Sequence, residues 1–105
     1  MPFRLYYLPR YERCLKKLGE RERHVAGLVV SALNSYFRSD SASNEPYIFH
    51  LHGRSYRLVF KKLRGFIWEA YLESRLRVLT RQDKDCHYLF FAGNHDQVRE
   101  FLKSN

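Results

Sequence analysis

The chain has 105 residues, which suffices for one folded domain over residues 1–105 and excludes a large multidomain protein. Hydrophobic residues make up 45% of it and aromatic residues 16%, a composition too apolar for a disordered chain. The formal net charge at pH 7 is +8. A small protein this basic is expected to bind a polyanion, and nucleic acid is the first candidate.

The sequence shows no sign of export or membrane insertion. No run approaches the roughly 18 apolar residues that a membrane span needs, so no membrane partner is expected. The segment Met1–Leu5 lacks the long apolar centre of a signal peptide. Cys14 and Cys86 are isolated in the sequence and are expected to be reduced, buried thiols. We therefore expect a cytoplasmic protein.

The N-terminal part of the chain predicts a strand and two helices. Phe3–Leu8 is a short β-favouring run, and Pro9 suits the start of a helix that Gly19 ends. A longer helix is predicted over Glu20–Phe37, because apolar residues recur there with helical spacing. Gly27 lies inside that helix, although glycine is unfavourable in a helix interior. Close packing against a neighbouring element would explain why glycine stands there.

Beyond a small polar loop at 38–46, the spacing of apolar residues changes to two, which is typical of strands. The predicted strands lie at 56–61, 66–72, 75–81 and 87–92, with a polar turn at 82–85. Short connections between successive strands favour an antiparallel sheet. A last helix is predicted after Asn94, since Gln97 follows three residues later as in a capping box.

Together these elements predict an α+β fold with the order β-α-α-β-β-β(-β)-α. We expect one antiparallel sheet with an N-terminal helical hairpin and a short C-terminal helix, the helices packed on one face of the sheet. The other face would then be open.

The positive charge is concentrated in residues 54–81, which contain eight basic residues and two acidic ones. In a strand, residues two or four apart share a face. On that basis one predicted strand carries three arginines on one face: Arg75, Arg77 and Arg81. The bulk of Trp68 indicates that its side faces the core, which places its neighbour Glu69 on the open face with the arginines.

Three segments resemble the RelE/ParE superfamily of bacterial type II toxins. Lys62–Gly65 followed by Ile67–Glu69 is similar to the K-L-x-G and W-E pattern of its phage-related, HigB-like branch. Arg75–Leu79 is similar to its strand of arginine, two hydrophobic residues and tyrosine, and Leu89–Val98 to its closing segment. The resemblance follows nearly the whole chain in order. It departs from the pattern at Thr80, which stands where the motif has tyrosine.

The resemblance implies a curved antiparallel sheet with the active site on its concave face. It also implies a toxin that cuts mRNA on the ribosome without a metal or other cofactor, and that a separate antitoxin protein neutralises by forming an oligomer with it. In such cleavage the ribose 2′-OH attacks the adjacent phosphate. The reaction needs a base, cations that stabilise the charged phosphorane, and an acid for the leaving oxygen.

Arg77 is the best candidate for stabilising the phosphate, since its position matches the motif and a guanidinium binds phosphate through two N–H groups. Arg75 is a second catalytic candidate, and Glu69 would act as the base or orient an arginine. His95 is the candidate acid, because histidine exchanges protons near neutral pH. Five further basic residues are expected to hold the RNA backbone: Arg57, Lys61, Lys62, Arg64 and Arg81.

Each candidate also has a purely structural interpretation. The arginines would be solvated surface charges or would form ion pairs with Glu69 or Glu73, and His95 would be a surface residue near a helix cap. His50 and His52 lack a third ligand, so no metal site is expected there. The sequence contains no P-loop or dinucleotide-binding motif either, and no cofactor is expected.

Two other functions fit the same scaffold. A ParE-like poison of DNA gyrase would need no arginine–glutamate site. A non-catalytic nucleic-acid-binding module, or a decayed toxin, would bind RNA with a strong dependence on salt but would not cut it.

Overall fold

The computed structural model describes residues 3–39, 47–72 and 75–103. They form an α+β fold with three helices and a six-stranded sheet. In chain order the elements are β1 (Arg4–Tyr7), α1 (Pro9–Lys17), α2 (Glu20–Arg38), β2 (Tyr47–Leu51), β3 (Arg54–Arg64), β4 (Ile67–Tyr71), β5 (Leu76–Asp83), β6 (Cys86–Asn94) and α3 (His95–Lys103).

The sheet has the strand order β1-β6-β5-β4-β3-β2. The four pairings from β2 to β6 are antiparallel, as the short connections predict. β1 pairs with β6 in the parallel direction, so the sheet is mixed and the prediction of a wholly antiparallel sheet is wrong. β1 has no short connection to another strand, because the two helices separate it from the rest of the sheet in the chain, so its direction was not constrained in this way.

Five strands follow the helical hairpin, whereas the sequence predicted three or four. The additional strand, β2, pairs with β3 through a two-residue turn at His52 and Gly53. Both residues have positive φ, 50° and 77°, as in the type I′ turns that suit tight hairpins. The polar loop before β2 lies largely at 40–46, outside the described residues.

The first two helices match their predictions closely. α1 has Pro9 in its first turn, where a missing N–H costs nothing, and α2 follows directly after Gly19. The expected close packing at Gly27 is wrong, because that residue is exposed and a Cβ added there would meet no atom within 4 Å. None of the helices in the described ranges is long and apolar enough to span a membrane.

α1 and α2 cover one face of the sheet and form the main core with it. Tyr11 of α1 and Leu33 of α2 are fully buried, together with Val78 and Leu89 of the central strands. The thiols of Cys14 and Cys86 are free and half-buried rather than fully buried.

α3 packs on the opposite face, so the prediction that all helices share one face is wrong. The strand register places Phe91 beside Leu79 and Gly93 beside Arg77, all on the face away from α1 and α2. The ring of Phe101 in α3 stacks on Phe91 at 4.6 Å between centroids. Leu79 is a buried apolar residue on the arginine-bearing face. α3 removes it from water, which is why this helix lies on that face.

The predicted capping box at the start of α3 is confirmed. The backbone N–H of Gln97 donates to Oδ1 of Asn94, and the backbone N–H of Asn94 donates to Oε1 of Gln97, each at 2.8 Å. These two bonds fix the direction in which the chain leaves β6 and turns over the sheet.

Candidate active site

Four side chains meet on the α3 face of the central strands. Lys61 of β3 pairs with Glu69 of β4, and Glu69 pairs in turn with Leu79 of β5. Arg77 lies two residues before Leu79 and therefore on the same face, next to Tyr71 of β4. We call Lys61, Glu69, Tyr71 and Arg77 the Glu69–Arg77 cluster.

Glu69 is the buried carboxylate of this cluster. It is 5% exposed, although glutamate is rarely buried without a partner. Its Oε1 lies 3.5 Å from Nε of Arg77, and its Oε2 lies 3.9 Å from Nζ of Lys61. The two cations offset the cost of removing the carboxylate from water. The prediction that Glu69 shares a face with the arginines agrees with this geometry, but the face is partly covered rather than open.

The guanidinium of Arg77 lies against the ring of Tyr71, with Cζ 3.4 Å from the ring centroid. This cation–π contact holds the group flat between two strands. Its Nε and Nη1 are buried, and neither donates a hydrogen bond to any residue in the described part of the chain. A buried donor without an acceptor costs free energy, and an oxyanion placed at the cluster would supply that acceptor.

The cluster therefore places a fixed guanidinium and a lysine each within ion-pair distance of one carboxylate. Lys61 remains more than half exposed, at 54% for its side chain, whereas the Arg77 side chain is 17% exposed. Of the two cations, Lys61 is therefore the more accessible to an anion in solution. A guanidinium and an ammonium group beside each other suit binding of an anion such as a phosphate, and a carboxylate is a group that can accept a proton.

The other two catalytic candidates lie near the same end of the sheet but are not among the four residues of the cluster. Arg75 is exposed and precedes β5, which begins at Leu76. His95 is the first residue of α3 and is exposed. It follows Asn94, which pairs with Leu76, one residue before Arg77. Glu73, the alternative ion-pair partner of the arginines, lies outside the described residues.

The residues predicted to hold RNA are spread over the sheet. Arg57 and Lys61 share one face of β3 by their spacing, and Arg57 is exposed. Lys62 pairs with Trp68 and so belongs to the face of α1 and α2. Arg64 and Arg81 lie at the other end of the sheet, where Arg64 Nη2 donates to the carbonyl of Leu102 in α3 at 2.7 Å.

Sequence reasoning placed Trp68 on the core side, and this is confirmed by its stacking on Phe60 at 4.9 Å. It did not identify Tyr71 as the platform for Arg77. The available signal was that both residues lie on the same face of adjacent predicted strands, but the pairing register of those two strands cannot be read from the sequence. Without that register a cross-strand contact cannot be derived.

The structure describes no group of three or more metal-binding side chains in the ranges that it covers. His50 is on β2 and its Nδ1 lies 2.9 Å from Oγ of Ser55, whereas His52 is in the following turn. The two histidines thus belong to different elements, a strand and its turn.

No family model matches this sequence, and comparisons with curated proteins and with solved structures found no match either.

Proposed function

We propose that this chain is a cytoplasmic toxin of the RelE/ParE superfamily that cuts mRNA and thereby inhibits translation. The observation that carries the proposal is the Glu69–Arg77 cluster, a buried carboxylate beside two cations on a basic sheet face. The three sequence segments that resemble the superfamily support it. So does the order of a strand, two helices, a series of antiparallel strands and a final helix.

In this proposal Arg77 binds the scissile phosphate. Its stacking on Tyr71 fixes the guanidinium in advance, so the N–H groups need little reorganisation as charge develops on the phosphorane. Lys61 adds a second cation at the solvent side. Both groups act by electrostatic stabilisation, which is commonly the largest contribution to catalysis.

Glu69 takes the proton from the 2′-OH in the same scheme, or holds Arg77 in place. His95 or Arg75 assists the leaving 5′-oxygen from the adjacent end of β5 and β6. Attack by the 2′-OH leaves one product with a 2′,3′-cyclic phosphate and the other with a 5′-OH, so no water is consumed in this step.

The decisive experiment measures cleavage of an mRNA by the purified protein, with and without ribosomes and in the presence of EDTA. We expect products that end in a 2′,3′-cyclic phosphate. Arg77→Ala should reduce the rate by roughly 10²–10³-fold, as losses of one transition-state donor do. Arg77→Lys should recover only part of this, because lysine lacks the planar fork. Arg23→Ala, an exposed arginine on α2, is the matched control and should leave the rate unchanged.

Intact RNA under all of these conditions, with a folded protein, would overturn the endoribonuclease proposal. Growth arrest with intact mRNA and broken chromosomal DNA would instead indicate a poison of DNA gyrase. Co-purification with a small acidic protein expressed from the adjacent gene would test the further expectation of an antitoxin partner.

One observation favours a non-catalytic RNA-binding protein as the second candidate. Glu69 is 5% exposed and has a cation beside each oxygen, which is also the geometry of a structural ion pair. In that case Glu69→Gln would lower the stability of the fold and weaken RNA binding, and neither the variant nor the native chain would release cleaved RNA.

A further inference from the structure

A concave surface lies at the opposite end of the same sheet face from the Glu69–Arg77 cluster. It encloses about 610 Å³ between the β3–β4 turn, the end of β5 and α3. Its lining includes three arginines and three phenylalanines: Arg10, Arg64, Arg81, Phe66, Phe90 and Phe101. We call this surface the Phe66–Arg81 groove.

The groove is positively charged, and its lining residues include no carboxylate. Arg10 lies over the ring of Phe101, with Cζ 4.6 Å from the centroid, and Arg64 donates to the carbonyl of Leu102. Both guanidinium groups are thereby positioned at the wall formed by α3. Arg81 is exposed at the end of β5. An occupant with negative charge is favoured by this arrangement.

Phe66 gives the groove an exposed aromatic face. It is 66% exposed, the most exposed of the large hydrophobic residues that the structure describes. It follows Gly65, whose φ of +51° makes the tight turn between β3 and β4. The carbonyl of Phe66 accepts a hydrogen bond from the N–H of Gln82 at 2.8 Å, which anchors the turn to β5. Its backbone position is therefore fixed although the ring is open to solvent.

The groove and the Glu69–Arg77 cluster lie at opposite ends of β4, on the sheet face that α3 partly covers. Ile67, Glu69 and Tyr71 lie two residues apart and so share one face, with Ile67 lining the groove and Tyr71 carrying Arg77. Arg77 and Arg81 are four residues apart on β5, which is roughly 13 Å along a strand. An extended single strand covers that distance in a few nucleotides.

We propose that the Phe66–Arg81 groove binds single-stranded RNA beside the scissile phosphate, with a base stacked on Phe66 and a backbone phosphate on Arg81. This inference rests on the proposed function, since it extends the path of the RNA beyond the Glu69–Arg77 cluster. Aromatic platforms flanked by cations are the usual means of holding unpaired nucleotides.

An acidic peptide helix is the competing occupant. The exposed ring of Phe66 favours RNA, because a base can stack on the ring while Arg81 binds a backbone phosphate.

The test is the affinity of the full chain for a short fluorescent single-stranded RNA, measured by anisotropy over a range of salt concentrations. Arg81→Gln should weaken binding and reduce the slope of log affinity against log salt by about 0.7, as loss of one phosphate contact does for single strands. Phe66→Ala should weaken binding roughly 5- to 150-fold and leave that slope unchanged, because stacking is not ionic. Arg23→Gln on α2 is the charge-matched control.

The outcomes separate the two proposals. If the native chain binds RNA and both groove variants bind it equally well, the groove proposal is overturned while the proposed function stands. If the native chain binds no RNA, both fail. A third outcome is that an acidic amphipathic peptide binds the native chain and that Phe66→Ala abolishes this binding without changing the affinity for RNA. In that case the groove is a peptide-binding site and the proposal is wrong.

Discussion

At the scale of single residues, the contact between Arg77 and Tyr71 decides how the site works. A guanidinium that lies on a ring at 3.4 Å has already lost most of its side-chain freedom, so binding a phosphate costs less entropy than it would for a mobile arginine. Arg75 and Arg81 are exposed, and within the described residues neither guanidinium lies on an aromatic ring. This difference is why Arg77, rather than another arginine of the stretch, is expected to carry the catalysis.

Tyr71 is therefore expected to be a positioning residue, and its ring rather than its hydroxyl is expected to hold Arg77 in place. Tyr71→Leu should lower the cleavage rate and destabilise the fold by about 0.5–2 kcal/mol, the range of a cation–π contact. Tyr71→Phe keeps the ring and should stay close to the native protein in both properties. Cleavage kinetics and urea unfolding of the two variants measure these effects.

The ring assignment fails if Tyr71→Leu cuts RNA at the native rate. It also fails if Tyr71→Phe loses as much activity as Tyr71→Leu, because the hydroxyl would then be the group that acts.

At the scale of elements, local sequence signals proved reliable where their causes are local. Pro9, Gly19 and the Asn94–Gln97 capping box each mark a helix boundary, because they act on backbone groups within one turn. β2 was harder to predict, since its hairpin turn has histidine where asparagine is usual before glycine. The parallel pairing of β1 with β6 joins residues some eighty positions apart, and no local signal specifies it.

The exposed glycine in α2 offers a test of the helix itself. Gly27 lies in the helix interior and a Cβ would meet no neighbour, so alanine should fit without strain. Gly27→Ala is expected to raise the free energy of unfolding by roughly 0.5–1 kcal/mol, mainly by restricting the unfolded chain. Urea or thermal unfolding measures the gain.

Gly53→Ala is the control for that experiment. Gly53 has a φ of +77° in the β2–β3 turn, so the same substitution there should destabilise the protein. A neutral or negative effect at position 27 would indicate that the exposed glycine has a role in α2 that helix propensity does not describe.

At the scale of the whole molecule, the alternation of residues correctly divided the two sheet faces. Trp68 and Val78 turn to one side, and Glu69 and Arg77 to the other, because strand periodicity is a property of the backbone. The position of α3 could not be derived in the same way. The position of α3 depends on which apolar surface must be buried. In the sequence, Leu79 between the arginines was the only indication that the basic face also contains buried apolar residues.

The main core converges on one histidine. His87 of β6 is 1% exposed, and its Nδ1 lies 2.9 Å from Oγ1 of Thr80. Its ring contacts aromatic rings from a chain segment before β1, from α2, from β3 and from β4: Phe3, Phe37, Phe60 and Trp68. Burial among these rings lowers the pKa of His87 to about 4, because the charged imidazolium would be desolvated there. A proton on His87 would therefore act on the packing of the entire fold.

The consequence is a specific loss of stability in mild acid. Well above pH 6.5 the imidazole is neutral in both the folded and the unfolded chain, so its contribution to the free energy of unfolding is fully present. As the pH falls from about 6.5 to about 4, the unfolded chain binds a proton that the folded chain does not, so the free energy of unfolding decreases by about 3 kcal/mol in total.

His87→Gln cannot take up this proton but can still bond to Thr80. Urea unfolding at pH 7.5, 6.0 and 5.0 should show a smaller loss for the variant, even if it starts from a lower value. The exposed histidines are common to both proteins and cancel in the comparison, so equal losses would mean that His87 is not the group responsible.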